Sequence, residues 1–490
     1  MLKKTDFHQL RLAISSIPAD VSNDAVGDNV PKLEDIFAPE THAAALDPAT
    51  PIVVGPRGAG KSFWSGVLGQ DETRKAASKA YPNLGLDNVR VGFGFTGGVG
   101  GSLGVTYEML NSVVGDGATL ENAKGFWWAT ILRAAGKVAG EALMPLKEAV
   151  KLSLDWEKRN DYLDKYEQYF HNKGLTLLVV YDALDTVANT WPRRRLLTEA
   201  LVEVVWAMRA YRRIKMKLFL RPDQIDDDTL RFVELPKLRT GAVRLTWSSA
   251  DLYGLLYSRL ILTSSNLARN AFSQLLNSLN VASATQEEIL ARQWALAHSV
   301  EDQARVMELL AGPYMGEGAH GHKKGKTYDW PIKHLSDAFF EVTPRSFLGL
   351  MIAASKHGGV PEDRAITSEG IRHGLRAASK TRVDQLHQEF LWIKGVLAPL
   401  AGLLLPQNDK EVFKAWRKTK TLEVLVADAK KNSYLPPFEI TGTNPGSERD
   451  LFVALERIGV MFSRKDGRLD MPDLFRVAAK LLKKGGTTPV

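Results

Sequence analysis

The sequence has 490 residues, 44% hydrophobic and 24% charged, which predicts about two to four soluble globular domains rather than one core. It contains no cysteine, so disulfides, thiolate catalysis, cysteine zinc fingers and iron–sulfur clusters are excluded, and a reducing compartment is expected. The net charge of +8 permits nucleic-acid binding without requiring it. No signal-peptide core or membrane-length apolar run is evident, so we expect a soluble cytoplasmic protein.

Residues 1–49 predict an N-terminal arm that begins with a helix. The next segment, Pro51-Ile-Val-Val-Gly-Pro-Arg-Gly-Ala-Gly-Lys-Ser62, places a short apolar strand before a match to the phosphate-binding pattern G-x-x-x-x-G-K-[ST]. A helix is predicted to follow, with its positive N-terminal end facing the same anion. The motif therefore predicts a nucleotide site rather than a glycine-rich turn with an incidental lysine. Its expected contacts are Gly55, Pro56, Arg57, Gly58, Ala59, Gly60, Lys61, Ser62 and Phe63.

Within this loop, Lys61 is expected to reach the β- and γ-phosphates, and the Ser62 hydroxyl to ligate Mg²⁺. A second strand is predicted over 89–95. It leads into a glycine-rich segment over 96–104, which is either a connector or a mobile lid.

A continuous apolar run over 175–181 predicts a strand buried on both faces, and it ends at Asp182. Asp182 is the candidate second Mg²⁺ ligand, the alternative being a carboxylate that caps a turn. The next position is Ala183, where many related ATPases carry a glutamate. Asp185 is the next acid, and it either positions the attacking water or caps the following helix.

A strand over 216–220 delivers Arg221 to the edge of the sheet where ligands bind. Arg221 either reads the γ-phosphate or forms an ion pair with Asp223 or Asp226. A fifth strand is predicted over 242–246. After residue 247 helical patterns dominate, and Arg345 lies in the first turn of a helix that begins near Pro344.

Near the end of the chain, the pattern predicts a helix over 449–458, a strand over 460–464, a turn, and a final helix over 472–483. This order is the outline of a winged helix, a module that binds DNA in some proteins and other proteins elsewhere. Basic clusters at 193–195, 209–217 and 323–326 are interpreted as solvated faces more readily than as a nucleic-acid surface.

The predicted fold class is therefore α/β, a P-loop NTPase parallel sheet flanked by helices. An all-α lid and a winged-helix-like region follow it. The predicted domains are an arm over 1–49, the nucleotide core over 50–247, the lid over 248–359 and a C-terminal domain over 360–490.

Several segments carry a family resemblance: the P-loop, Leu-Leu-Val-Val-Tyr-Asp-Ala-Leu-Asp, Lys-Leu-Phe-Leu-Arg-Pro-Asp, Arg-Leu-Thr-Trp-Ser, Gly-Pro-Tyr-Met-Gly, Thr-Pro-Arg-Ser-Phe and Asp-Gly-Arg-Leu-Asp-Met-Pro-Asp-Leu-Phe-Arg. On these segments the chain resembles bacterial P-loop ATPases related to the STAND and AAA+ divisions, some of them found near antiviral-defence loci. The resemblance implies an ATP-switched regulator with ATP and Mg²⁺ as its ligands and a homo-oligomer or an effector protein as its partner.

The leading hypothesis is an ATPase that hydrolyses ATP slowly and controls a partner. Lys61, Asp182, Asp185, Arg221 and Arg345 are its candidate catalytic residues. The main alternative is a DNA-acting ATPase that uses the winged-helix-like region. A scaffold that binds nucleotide without hydrolysis and a small-molecule kinase are the remaining alternatives.

Overall fold

The computed structural model describes residues 2–18, 30–97, 104–115, 117–225, 230–440 and 446–489. The chain divides into two compact units, one formed by residues 22–246 and the other by residues 1–21 and 247–490. The division into four domains stays a prediction. Most of the predicted glycine-rich loop, residues 98–103, lies outside the described residues, and so does Asp226.

The unit formed by residues 22–246 is built on a five-stranded sheet. Its strands, in chain order, are β1 (Ile52–Val54), β2 (Val89–Phe95), β3 (Thr176–Tyr181), β4 (Ile214–Leu220) and β5 (Val243–Arg244). They pair in the spatial order β2-β3-β4-β1-β5, and every pairing is parallel. The carboxyl ends of β1, β3 and β4 therefore meet at one edge of the sheet, where parallel sheets bind their ligands.

The strands of this sheet are apolar because helices cover both of its faces. Every residue of β1 is buried, and only Thr176 of β3 is partly exposed. Parallel neighbours need long crossover connections, and helices supply them. The helices of this unit are Ala43–Leu46, Lys61–Gly69, Asp71–Ala80, Tyr107–Val113, Leu120–Val138, Leu146–Leu154, Trp156–Asn172, Trp191–Ala207, Pro222–Ile225 and Leu235–Thr240.

The second unit is mainly helical. Its helices are Lys4–Ser16, Ser249–Ile261, Asn266–Ser278, Gln286–Leu290, Val300–Ala311, Asp329–Leu335, Pro344–Lys356, Ser368–Glu389, Ile393–Leu397, Asp409–Lys418, Thr421–Asn432, Glu448–Arg457 and Asp473–Arg476. None of the helices in the described segments combines the length and the apolar character that spanning a membrane needs. The predicted fold class, a parallel α/β sheet flanked by helices and followed by a largely helical region, is confirmed.

The end of the chain corrects one prediction. The predicted hairpin is present as two short antiparallel strands, β7 (Phe462–Ser463) and β8 (Leu469–Asp470). The predicted final helix is wrong, since the chain is helical only over Asp473–Arg476 and then forms a strand, β9 (Leu482–Lys483). This strand pairs in parallel with β6 (Leu404–Leu405), and that pairing satisfies the backbone groups that a longer helix would have used.

Candidate functional site

The loop between β1 and the helix Lys61–Gly69 has the backbone that the sequence motif predicts. Gly58 and Gly60 have φ angles of +84° and +104°, in the left-handed region that favours glycine. The amide of Gly55 donates to the carbonyl oxygen of Leu220 at 3.0 Å, which fixes the start of the loop to the end of β4. The two glycines therefore allow the curved backbone of the loop, and the hydrogen bond to Leu220 anchors the loop to β4.

Lys61 lies against the backbone of its own loop. Its Nζ donates hydrogen bonds to the carbonyl oxygens of Gly55 at 2.6 Å and of Pro56 at 3.0 Å. An ammonium group on a flexible stem is a compact point charge that can exchange such acceptors for phosphate oxygens. The side chain is thus already beside the loop that would hold the phosphates.

Asp182 directly follows β3, and only 4% of its surface is exposed. Burial raises the pKa of its carboxyl group, while the hydrogen bond donated by the Ser62 hydroxyl, the amide of Ala183 and the charge of Lys61 act in the opposite direction. The hydrogen bond from Ser62 to Asp182 joins the two residues predicted to hold a metal ion. The structure therefore brings together motifs that are far apart in the sequence.

These two side chains fit a magnesium ion by the chemistry of their donors. A hydroxyl and a carboxylate supply hard oxygen ligands, and Mg²⁺ usually takes only one or two ligands from the protein, the rest coming from water and phosphates. Across the described residues, no group of three or more histidines and acids is placed to hold a metal by itself. A site completed by a nucleotide is consistent with that arrangement.

The chain turns sharply after Asp182. Ala183 has a φ angle of +53°, an uncommon conformation for alanine, and a short 3₁₀ turn over Leu184–Thr186 follows. Asp185 lies in this turn, and its carboxylate accepts a hydrogen bond from Arg221 at 3.2 Å. Asp185 therefore faces the end of β4. The next helix begins at Trp191, so Asp185 is not its N-cap, which was the alternative interpretation.

Arg221 lies just beyond β4 in a network of ion pairs. Besides Asp185, it binds Asp223, with Nε 3.1 Å from Oδ1. Arg194 binds the other carboxylate oxygen of Asp223 at 2.7 Å. Burial alone would raise the pKa of Asp223, but the charges and hydrogen bonds of the two arginines lower it to about 2. The ion pair with Asp223, which the sequence left open as an alternative, is therefore present.

Two buried basic residues lie within the basic clusters singled out from the sequence, and sequence reasoning missed their burial. Lys217 in β4 is fully buried, and its Nζ donates to the carbonyl oxygens of Ala45, Asp47 and Thr50 at 2.8, 3.0 and 2.8 Å. Arg194 is the other. Both lie in basic clusters that we interpreted as solvated faces, which is wrong for these two residues. A lysine in the middle of an apolar strand was the available signal for Lys217.

A buried histidine, His42, contacts the helix Lys61–Gly69. His42 is fully buried, and its Nδ1 accepts a hydrogen bond from Trp64 Nε1 at 3.0 Å. Because Nδ1 is the acceptor, Nε2 carries the proton and donates to the carbonyl oxygen of Thr246 at 3.0 Å. The segment before β1 is thereby tied to the first turn of the helix that carries Lys61.

The remaining predicted residues are placed as follows. Phe63 packs edge-on against Trp64, with ring centroids 5.2 Å apart, and Arg57 is partly buried in the loop. Arg345 is in the first turn of the helix Pro344–Lys356, in the other unit. Its expected contact with the γ-phosphate stays a prediction.

Comparison with known proteins finds distantly similar solved structures. No protein-family model and no curated protein matches the chain. It is similar to the Walker-type ATPase PABY2304 of Pyrococcus abyssi, with 11% identity over 93% of this chain and 97% of that chain and a TM-score of 0.37. It is also similar to the ORC2 protein of Aeropyrum pernix, solved in ADPNP–ADP complexes, with 12% identity over 89% of each chain and a TM-score of 0.37. These values are too low to carry a functional conclusion.

Proposed function

We propose that this chain is an ATPase that binds ATP with Mg²⁺ at the loop between β1 and the helix Lys61–Gly69. The observation that carries this proposal is the hydrogen bond from Ser62 to the buried Asp182, with Lys61 beside them. A serine at the start of a P-loop helix and an aspartate at the end of a buried strand are the two protein ligands that P-loop ATPases give to Mg²⁺. Their direct contact makes an incidental glycine-rich turn a poor explanation.

Each residue of the loop then has a defined task. The backbone amides of the loop bind the phosphate oxygens, and Lys61 leaves the carbonyl oxygens of Gly55 and Pro56 to pair with the β- and γ-phosphates. Ser62 and Asp182 hold the metal, which supplies charge neutralisation at the phosphate oxygens when it is bound.

We further propose that hydrolysis is slow and serves a conformational switch. The position after Asp182 is Ala183 rather than an acid, and the next carboxylate, Asp185, is engaged by Arg221. When a γ-phosphate reaches the site, it replaces Asp185 as a partner of Arg221, and the released Asp185 orients the attacking water. Exchange of partners by Arg221 is therefore the step that couples nucleotide state to the end of β4.

This pairing predicts a non-additive effect. We expect Arg221→Gln and Asp185→Asn each to lower ATP turnover by about 100-fold with little change in ATP affinity, since both act on the transition state. Because the two side chains touch, the double variant should lose far less than the product of the single effects. Steady-state turnover and nucleotide binding of the four proteins test this, and fully additive losses would contradict a shared task.

We propose a separate role for Arg345. It contacts the γ-phosphate either of its own chain or of a neighbouring chain across the interface of a homo-oligomer. An Arg345→Gln variant distinguishes the two cases in mixing experiments. If inactive Arg345→Gln chains regain turnover when mixed with Lys61→Ala chains, the arginine acts across an interface. The proposal that this chain regulates a partner, such as an effector in antiviral defence, rests on the sequence resemblance alone.

A DNA-acting ATPase is the second candidate, and the terminal hairpin bears on it. The turn between β7 and β8 carries Arg464, Lys465 and Arg468, the cations expected at a nucleic-acid contact. Arg464 lies 3.5 Å from Asp470, and Arg468 lies 2.7 Å from Asp466, so acids of the same hairpin offset two of the three charges. We therefore rank DNA binding second, and steeply salt-dependent duplex binding would reverse that order.

A further inference from the structure

One loop of the mainly helical unit, residues 313–326, carries a dense group of basic and aromatic side chains. We call it the lysine loop. The side chains that concern us are exposed to solvent, and they are Tyr314, His320, His322, Lys323, Lys324 and Lys326. The loop contains none of the residues assigned above to phosphate or metal, and it is not part of the terminal hairpin.

Backbone hydrogen bonds close the lysine loop at its base. The amide of Met315, a residue with 0% exposure, donates to the carbonyl oxygen of Gly325 at 2.9 Å. The amide of the buried Thr327 donates to the carbonyl oxygen of Pro313 at 3.1 Å. Arg372, from another helix, donates to the carbonyl oxygen of Met315. The exposed side chains are thus presented from a closed loop, which lowers the conformational entropy that a binding partner would have to remove.

The lysines of this loop are not neutralised by acids. Within the described segments, no ion pair forms on Lys323, Lys324 or Lys326. The single acid of the loop, Glu317, acts on Arg364, which lies outside it. This differs from the terminal hairpin, where acids offset two of the three charges. Neighbouring ammonium groups repel one another, so the loop favours a partner with several closely spaced negative charges.

Aromatic rings lie in the same loop as these cations. Tyr314 is 39% exposed, and its ring centroid lies 6.3 Å from that of His322, which lies 6.5 Å from that of His320. The rings are inclined to one another by 74° and 58°, so none is stacked flat on its neighbour. Bases of a single strand stack on such rings while cations hold the backbone. A duplex, whose bases are already stacked, and an acidic peptide have no comparable use for them.

We propose that the lysine loop binds single-stranded nucleic acid. Lys323, Lys324 and Lys326 pair with backbone phosphates, and the rings of Tyr314 and the two histidines stack on bases. Binding of this kind tolerates many sequences, because every base has a π face. The sequence pattern alone favoured a solvated face, but the closed loop, the unpaired lysines and the exposed rings favour a binding surface. The proposal does not depend on ATP binding at the phosphate-binding loop.

The test is fluorescence anisotropy of a labelled oligothymidine with the full-length protein, without ATP, over a range of salt concentrations. We expect saturable binding that weakens as salt is raised. The triple variant Lys323→Gln, Lys324→Gln, Lys326→Gln should bind at least about 10-fold more weakly. Its slope of log affinity against log salt should be smaller by about 2, because each phosphate contact of a single strand contributes about 0.7. Tyr314→Ala should weaken binding about 10-fold with the slope unchanged, through the loss of one stacked base.

A second triple variant provides the matched control. Lys418, Lys430 and Lys431 are also exposed and belong to the same unit. Replacing them by glutamine removes the same net charge from a different part of the chain. This variant should bind the oligothymidine within about 3-fold of the unmodified protein, with the same salt slope. All the substituted side chains are exposed, so the variants are expected to fold.

Four results would overturn the proposal. One is that oligothymidine does not bind at low salt. Another is equal weakening in the two triple variants, because net charge rather than the lysine loop would then drive binding. The third is unchanged binding in Tyr314→Ala, which would show that no base stacks there. The fourth is that duplex DNA or polyglutamate competes as well as the single strand, since the surface would then recognise charge alone.

Discussion

Replacing Asp182 by asparagine is expected to lower Mg²⁺-dependent ATP turnover by about 100-fold or more, because the variant loses an anionic ligand of the metal at a buried position. The asparagine keeps the size of the side chain and can still accept the hydrogen bond from Ser62. Turnover over a range of Mg²⁺ concentrations measures the effect. An unchanged dependence on Mg²⁺ in the variant would show that Asp182 does not hold the metal.

The same substitution should not destabilise the protein. Burial raises the pKa of Asp182 above its value in the unfolded chain, which is about 3.9. The folded state then binds more protons than the unfolded state between these two pKa values, so this group lowers stability as pH rises through that window. The variant lacks this group, so its stability should not fall in the same way. Without metal or nucleotide, the melting temperature of Asp182→Asn should therefore rise relative to that of the unmodified protein as the pH increases from about 4.

Melting curves of both proteins between acidic and neutral pH check this sign. A difference that decreases with pH would mean that the ionised carboxylate stabilises the fold, contrary to its buried position. The two measurements together separate a residue kept for function from one kept for stability.

Replacing Lys217 by methionine is expected to destabilise the protein by at least about 3 kcal/mol, the largest stability effect that we predict. Three carbonyl oxygens, those of Ala45, Asp47 and Thr50, accept from its ammonium group and would lose that partner inside the protein. Relief from burying a charge offsets part of this loss. Because these carbonyls immediately precede β1, the variant should also bind ATP more weakly.

Lys215 on the same strand provides the matched control. It is only partly buried, and its Nζ donates to one carbonyl oxygen, that of Tyr211, at 2.8 Å. Lys215→Met should therefore cost less than about 1 kcal/mol. Chemical denaturation of both variants measures the two free energies of unfolding, and equal losses would contradict a special role of Lys217.

Much of the core was predictable because its signals are local. The apolar run that ends at Asp182 and the glycine pattern before Lys61 each depend on a few consecutive residues. The structure forms β3 over Thr176–Tyr181 and begins a helix at Lys61, close to the predicted positions. Strand order was not predictable in this way, because β4 lies between β1 and β3 although it follows both in the sequence.

The errors arose where distant contacts decide the structure. Lys217 and Arg194 carry charges that a sequence pattern assigns to solvent, yet each has buried oxygen acceptors from other segments. The segment after Arg476 has helical periodicity, but pairing of β9 with β6 competes with the helix. Ala183 gave no sign of its left-handed backbone, since that conformation depends on the turn between Asp182 and Asp185.

The measurement that tests the proposed ATPase most directly is steady-state ATP hydrolysis by the purified protein, with and without Mg²⁺ and duplex DNA, beside the Lys61→Ala variant. We expect slow, Mg²⁺-dependent turnover that duplex DNA does not stimulate. Turnover in the Lys61→Ala variant should be lower by about 100-fold or more. Turnover and ATP affinity that are normal in Lys61→Ala would contradict nucleotide chemistry at this loop.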